Sequence, residues 1–215
     1  VGTICKSVKD TQILFQILTN KIKNIKSTRN KKVKIGFVND FNFDNIDNVS
    51  KKYIERLIMM LSKLTVEIKD VQLPEFTLLN ELFSLHGSLV NYEAWEYWQE
   101  KIKDNLQQID PYVAERFLIG KSMSKKIVNT LNKKTLQLRK KALLKLDNFD
   151  YFLIPTISFP PPKLKKLQNE NFYHSKNTLA LNNTRAVNIF NMCAISIPMY
   201  INSRKWLSIS IVGKK

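Results

Sequence analysis

Apolar positions along the chain follow two periods. Between Ser7 and Leu18, the residues Val8, Thr11, Ile13, Leu14, Phe15, Ile17 and Leu18 form a broad helical stripe, with Ser7 placed to cap it and Asp10 at the third helical position. A polar, basic linker, Asn20 to Lys32, comes next. Val33-Lys34-Ile35-Gly36-Phe37-Val38 then alternates as a half-buried strand does. From Asp47 to Lys63, Val49, Tyr53, Ile54, Leu57, Ile58 and Leu61 recur at helical spacing, with Asp47 as the expected cap. A second strand, Val66 to Val71, ends at Leu73-Pro74. Strand, helix and strand in that order predict a βαβ-type unit with parallel pairing.

Glu75 to Lys103 continues as one helical pattern that carries Leu78, Leu79, Leu82, Phe83, Leu85, Leu89, Tyr92, Trp95 and Trp98. Asp110-Pro111 restarts a helix with proline in its first turn, and Gly120 is expected to interrupt it. Ser122 or Ser124 caps a further long helix running to about Leu146. Tyr151 to Thr156 reads as a short buried strand stopped by Pro155. Pro160-Pro161-Pro162 opens a loop rich in Lys and Asn that extends to about Lys176. Residues Asn183 to Asn191 form a helix or turn, and strands follow at Ala194 to Ile197 and Trp206 to Val212. With neither a repeat nor a domain linker in view, the 215 residues are read as part of a single domain.

Composition narrows the setting. No apolar run approaches the roughly 20 residues that span a bilayer, no charged n-region precedes an apolar h-region, and a cytoplasmic location is expected. Cys5 and Cys193 lie outside any C-x-x-C or Cys/His ligand spacing, which argues against metal, and both read as small buried residues in a reducing compartment. The 35 Lys and Arg against 18 Asp and Glu give a net charge of +17. The excess is mostly lysine, scattered among Asn and Ile. Nucleic-acid readers rely on arginine forks with interleaved aromatics, so a solvated basic surface is favoured over a polyanion contact. Five glycines in 215 residues is few, so several turns fall to Asn and Asp, which tolerate left-handed backbone angles.

Taken in order, these blocks resemble the second half of the amidase-signature family, including amidases and the aspartyl/glutamyl-tRNA amidotransferase group. "VGTICKSVKD" resembles the family's "GP-x-x-R-S-V-x-D", with Lys6 for the arginine and Thr3 for the proline. "KVKIGFV" resembles the strand that resumes the sheet, and "GSLVNYEAW" a helix carrying "E-A". "IDPYVAERFLIGKSMS" resembles "D-P-x-V-x-x-R-x-x-x-G-x-x-x-S". "FDYFLIPTISFPPP" resembles "(F/Y)D-x-L-(L/I)-x-P-T-x-x-x-x-A-P", and "NTRAVNIFNMCAISIP" resembles "N-T-x-x-x-N-x-x-G-x-x-A-x-S-x-P". Periodicity would not require Asp150, Pro155-Thr156, Asn188 or Ser196-Ile197-Pro198 at these places.

The resemblance implies an α/β fold, with a mixed, largely parallel sheet flanked by helices on both faces. It also implies hydrolysis of a carboxylic amide, or onward transfer of the released ammonia. A serine nucleophile, a second serine in a cis peptide and a lysine base would do this chemistry, with loop N–H groups holding the oxyanion. The sequence contains no Gly-Gly-Ser-Ser-type loop and no K-P-S motif, so no catalytic residue is assigned and the chain alone is expected to be inert. It is expected to be the carboxy-terminal half of a single amidase domain, with sticky uncovered edges. The expected partners are an amino-terminal half that completes the site and a small-molecule amide substrate. No membrane is expected, and neither cofactor nor metal is required.

What this half offers by resemblance is substrate selection. Arg116 matches an arginine that holds a substrate carboxylate, a task suited to a guanidinium fork; an ion pair with Glu115 or Asp110 is the competing role. Thr184 and Asn188 match polar positions beside the cleft, against packing and capping roles. The acidic residue of the glutamine-specific type falls near Leu181. Family glycines after "S-x-P" align to Tyr200 and to the stretch holding Arg204, Lys205, Trp206, Ser208 and Ser210, where bulkier side chains should reshape the cleft. His86 and His174 have no ordered acidic partner in sequence, and Glu93 with Glu96 reads as a solvated helix face. A non-catalytic binding or scaffold protein and a basic nucleic-acid binder stand as the alternatives.

Overall fold

The computed structural model describes residues 2–20, 32–39, 46, 48–64, 66–202 and 205–214, with side chains except at 200–202, 205 and 206. The chain divides into two compact units, Val1–Lys31 and Lys32–Lys215. In the first, helix α1 spans Val8–Thr19. Ser7 caps it as expected, its hydroxyl accepting the Asp10 N–H at 3.1 Å and donating to the Asp10 carboxylate at 2.8 Å. Asn20, in the left-handed region at φ 49°, closes the other end. Residues 21–31 of the expected linker lie outside the described residues, as does the cap expected at Asp47.

The second unit is built on five strands: β1 Val33–Val38, β2 Val66–Val71, β3 Tyr151–Pro155, β4 Cys193–Asn202 and β5 Lys205–Gly213. Their order is β2-β1-β3-β5-β4. β1 pairs in parallel with both β2 and β3, while β5 is antiparallel to β3 and to β4. Four strands therefore run one way and β5 the other, the mixed, largely parallel sheet that the sequence implied. β1 is not half-buried, however. Ile35 to Val38 are all buried, because β1 has a strand on each side and apolar side chains packed on both faces.

The two faces carry separate cores. On one lie Val38, Phe152, Ile154 and Val212, covered by residues of α3 (Pro74–His86), α4 (Leu89–Ile102), α6 (Lys125–Leu146) and α7 (Glu170–Ile189). On the other, Ile35, Phe37, Leu153, Leu207 and Ile209 pack with Ile54 of α2 (Asn48–Ser62). Alternation along β3 explains the split: Phe152 and Ile154 face one core and Leu153 the other. Phe76 of α3 meets Phe190, just past α7, edge to face at 5.6 Å, fixing α3 against α7.

Three readings of the sequence need correction. The pattern from Glu75 to Lys103 is two helices, not one. Gly87 takes φ +78°, which few other residues would adopt, and Ser88 then caps α4 by exchanging bonds with Asn91. Gly120 does not interrupt α5 (Pro111–Ser122) but lies buried within it. A methyl group there would overlap the Asn91 carbonyl oxygen and approach the Trp95 Cβ at 3.0 Å, so glycine permits the close crossing of α4 and α5. The loop after Pro160-Pro161-Pro162 is shorter than expected. A 3-10 turn at Leu164–Gln168 leads to Asn169, whose side chain accepts the Phe172 N–H at 2.9 Å and starts α7. The polar composition of α7 disguised it, and burial of Asn182, Asn183, Ala186 and Val187 overrides the weak propensity.

The α4/α5 crossing gives a first prediction. Gly120→Ala should gain roughly 1 kcal/mol in helix propensity yet lose more to overpacking, for a net destabilisation of about 2 kcal/mol in urea unfolding.

Candidate substrate cleft

The carboxyl end of β3 delivers Pro155-Thr156 to a point where β5, β4 and α7 meet. The Thr156 N–H donates to the Ser208 carbonyl at 2.9 Å, carrying the β3–β5 ladder one residue past the strand. The Thr156 hydroxyl lies 2.9 Å from the Ser196 hydroxyl of β4 and 2.8 Å from that of Ser210 in β5. Above them, the buried Asn183 amide of α7 donates to the Pro155 carbonyl, fastening the helix to the strand end. Three hydroxyls, one just past β3 and one each from β4 and β5, are thus joined. Among the described residues, no acidic or basic side chain is bonded to any of them, and serine without an adjacent base is a weak nucleophile.

Beside this cluster opens a cavity of about 500 Å³. Phe159, Pro161, Pro198 and Leu207 make its walls largely apolar, and Tyr173 and Asn177 of α7 bring polar groups to it. The Lys176 ammonium, also at the cavity, lies over the Phe159 ring at 4.7 Å. Tyr173, Asn177, Ala180, Thr184 and Asn188 recur at three- and four-residue intervals, so one stripe of α7 carries them all.

Arg116 of α5 reaches this wall. Its Nη2 donates to the Asn177 Oδ1 at 3.0 Å and approaches the Tyr173 hydroxyl at 3.5 Å. The Asn91 side chain donates to the Arg116 carbonyl at 3.1 Å, so the α4/α5 crossing also places this residue. The competing ion pair is not formed. Asp110 caps α5 through the Tyr112 and Val113 N–H groups, and Glu115 lies 3.4 Å from His174. Tyr112 stacks on Tyr173 with centroids 3.9 Å apart, holding α5 and α7 together behind Arg116.

Thr184 and Asn188 share the α7 stripe but are exposed and do not line the cavity. The Thr184 hydroxyl donates back to the Leu181 carbonyl at 3.3 Å. His174 does have acidic partners, contrary to the sequence reading, because α7 begins early enough to set it beside Glu115 and Glu170. Cys193 is exposed rather than buried, since β4 is an edge strand; Cys5 is partly buried. His86 is exposed in the last turn of α3, and Glu93 and Glu96 are exposed on α4, as expected. Ser208 lines the cavity and Ser210 is buried in the hydroxyl cluster; Arg204 lies outside the described residues, as do the side chains of Tyr200, Lys205 and Trp206. No group of three His, Cys, Asp or Glu residues able to hold a metal occurs among the described residues.

Sequence reasoning missed Tyr173, Asn177 and Arg185. The four-residue spacing of Tyr173 and Asn177 could have flagged the first two had α7 been recognised. Arg185 half-buries its guanidinium, and its Nη1 donates to the Asn80 Oδ1 of α3 at 3.3 Å. Burial, and then the nearby charge of Arg116, lower its pKa from the ordinary arginine value.

Comparison with known proteins bears on the family that the sequence resembles. The sequence model of the Amidase family matches residues 1–215, and the chain belongs to that family. It is 22% identical over 209 residues to the 2-amino-5-chloromuconic acid deaminase of Comamonas testosteroni, covering 95% of this chain and 45% of that protein. A solved amidase structure superposes with a TM-score of 0.81 at 21% identity, over 99% of this chain and 48% of the other. The Kluyveromyces lactis allophanate hydrolase gives 0.79 at 17%, over 96% and 35%. A glutamyl-tRNA(Gln) amidotransferase chain from Thermotoga maritima gives 0.52 at 16%, over 85% and 39%. The chain spans about half the length of the deaminase and of the first of these structures.

The hydroxyl cluster can be probed directly. Thr156→Val keeps the shape but removes two bonds and leaves the buried Ser210 hydroxyl unpaired, so unfolding in urea should show a loss of about 1–3 kcal/mol. Thr156→Ser, which retains the hydroxyl, should cost less.

Proposed function

We propose that residues 1–215 form the carboxy-terminal half of a single amidase domain that cleaves a carboxylic amide C–N bond or passes the released ammonia onward. In this reading the chain supplies one wall of the cleft, and a serine nucleophile, cis-peptide serine and lysine base come from a polypeptide segment outside these residues. The observation that carries the reading is the Thr156–Ser196–Ser210 cluster: a polar floor at the strand ends, built without a base to activate it. The absence of a Gly/Ser-rich loop anywhere in the sequence supports it. Alone, the chain is inactive.

The cavity holds the apolar part of the substrate, and Arg116 holds a carboxylate on it. Asn177 and Tyr173 orient the guanidinium without neutralising it, leaving N–H donors for an anionic group. Thr184 and Asn188, exposed further along the same helix stripe, contact the substrate or the completing segment. Among the described residues no helix is long and apolar enough to cross a membrane. We place the protein in the cytoplasm, and the free thiols of Cys5 and Cys193 support that setting.

Two measurements test this. The chain alone should release no ammonia from simple amides, whereas co-expression with a polypeptide carrying the Gly/Ser-rich loop should restore release; ammonia from the isolated chain would overturn the reading. In the reconstituted enzyme, Arg116→Gln should raise the KM for an amide bearing a carboxylate by roughly ten- to a hundredfold, the scale of a lost charge-assisted bond, and leave a neutral amide unchanged.

A further inference from the structure

Lys176 is a charged group at the cavity that the reading above does not use. It stands half-buried on α7 and lines the cavity beside Asn177. Its ammonium lies 4.7 Å from the centroid of the Phe159 ring, which comes from the loop after β3. Phe172, one helical turn earlier on α7, presents its ring at 5.7 Å. The carboxylates at this end of α7 are engaged elsewhere, Glu115 and Glu170 lying 3.4 and 3.8 Å from His174. Among the described residues no carboxylate is within ion-pair distance of Lys176.

A surface lysine ordinarily swings through water with its ammonium strongly hydrated. Here two ring faces fix the group at one place on the wall, so less freedom is lost when a ligand meets it. Ring faces attract the cation but supply none of the strong acceptors that a carboxylate or water provides, and the three N–H donors remain free for a ligand. Of the described residues that line the cavity, Lys176 alone carries a charge; Arg116 bonds two of them, Tyr173 and Asn177, without lining it. Next to apolar walls a charge is felt more strongly than in open water, which favours an anion there and disfavours a second cation.

We infer that Lys176 makes this cavity selective for apolar ligands that carry an anionic group, such as an aryl or alkyl carboxylate, over neutral and cationic ligands of the same shape. The inference rests on the amidase reading only in taking such a ligand for part of the substrate. The selection itself belongs to the cavity and is read without turnover.

Phenylpropionate, phenylpropanamide and phenylpropylamine share one frame and are anionic, neutral and cationic at neutral pH. Each is titrated into the 215-residue chain and followed by calorimetry. Phenylpropionate should bind tightest and phenylpropylamine weakest. Lys176→Met, which keeps the length of the side chain, should weaken phenylpropionate at least about tenfold and leave phenylpropanamide within about twofold. Lys176→Arg, which keeps the charge, should retain the preference. Should Lys176→Met fail to fold, Lys176→Gln carries the test with the same readings. Equal binding of the three, or binding of none, would overturn the inference. So would a preference that survives Lys176→Met but is lost in Arg116→Gln, because Arg116 would then read the charge. Equal weakening of the acid and the amide by Lys176→Met would also overturn it, since the lysine would then only hold Phe159 in place. Charge selection without reconstituted ammonia release would fault the proposed function alone, and ammonia release without charge selection by Lys176 would fault this inference alone.

Discussion

The fold depends on the placement of β3. The Asp150 carboxylate accepts the Lys34 N–H at 2.9 Å, and the Asp150 N–H donates to the Lys34 carbonyl at 2.9 Å, so one residue fastens the start of β3 to β1 through both backbone and side chain. A slip of one residue would turn Phe152 and Ile154 from one core to the other and exchange them with Leu153. It would also withdraw Thr156 from Ser196 and Ser210. Register at the entry of the strand therefore determines chemistry at its exit.

From that fixed strand end, asparagine does much of the joining. Asn183 fastens α7 to Pro155, Asn91 ties α4 to α5 through the Arg116 carbonyl, and Asn177 and Asn80 hold the two arginines. An amide can satisfy a buried donor or acceptor without adding charge, whereas a carboxylate in place of Asn177 or Asn80 would have quenched the arginine it orients. The helices are thereby tied together through neutral groups. Aromatic contacts complete the lock, Tyr112 on Tyr173 at the α5/α7 seam and Phe76 on Phe190 at the α3/α7 seam.

Much of this was legible in the residues. The Ser7 cap, the helix restart at Asp110-Pro111 and the β1 and β2 bounds were read directly, because caps, prolines and short apolar runs act locally. Ser124, one of two candidate caps, proved to start α6. Asp150, Pro155-Thr156 and Ser196 stood out as polar residues that periodicity did not require, and the structure gives Asp150 a register role and joins Thr156 with Ser196 and Ser210. What stayed hidden depends on contacts distant in sequence. Gly120 looked like a helix breaker because its reason for being glycine is the Asn91 carbonyl of another helix. The first half of α7 looked like a loop because its Asn, Ser and Thr content has weak helical propensity, and only packing and the Asn169 cap reveal it. Arg185 had no local signal, since its meaning arises from Arg116 and Asn80 on other helices.

The central claim is that these strands and helices enclose a nucleophile supplied by another segment. Exposure of the chain to a serine-reactive fluorophosphonate, followed by peptide mass spectrometry against a denatured control, tests it most directly. The account predicts no preferential adduct on any hydroxyl of the 215 residues, Thr156, Ser196, Ser208 and Ser210 included; selective labelling of one of them in the folded chain would contradict it.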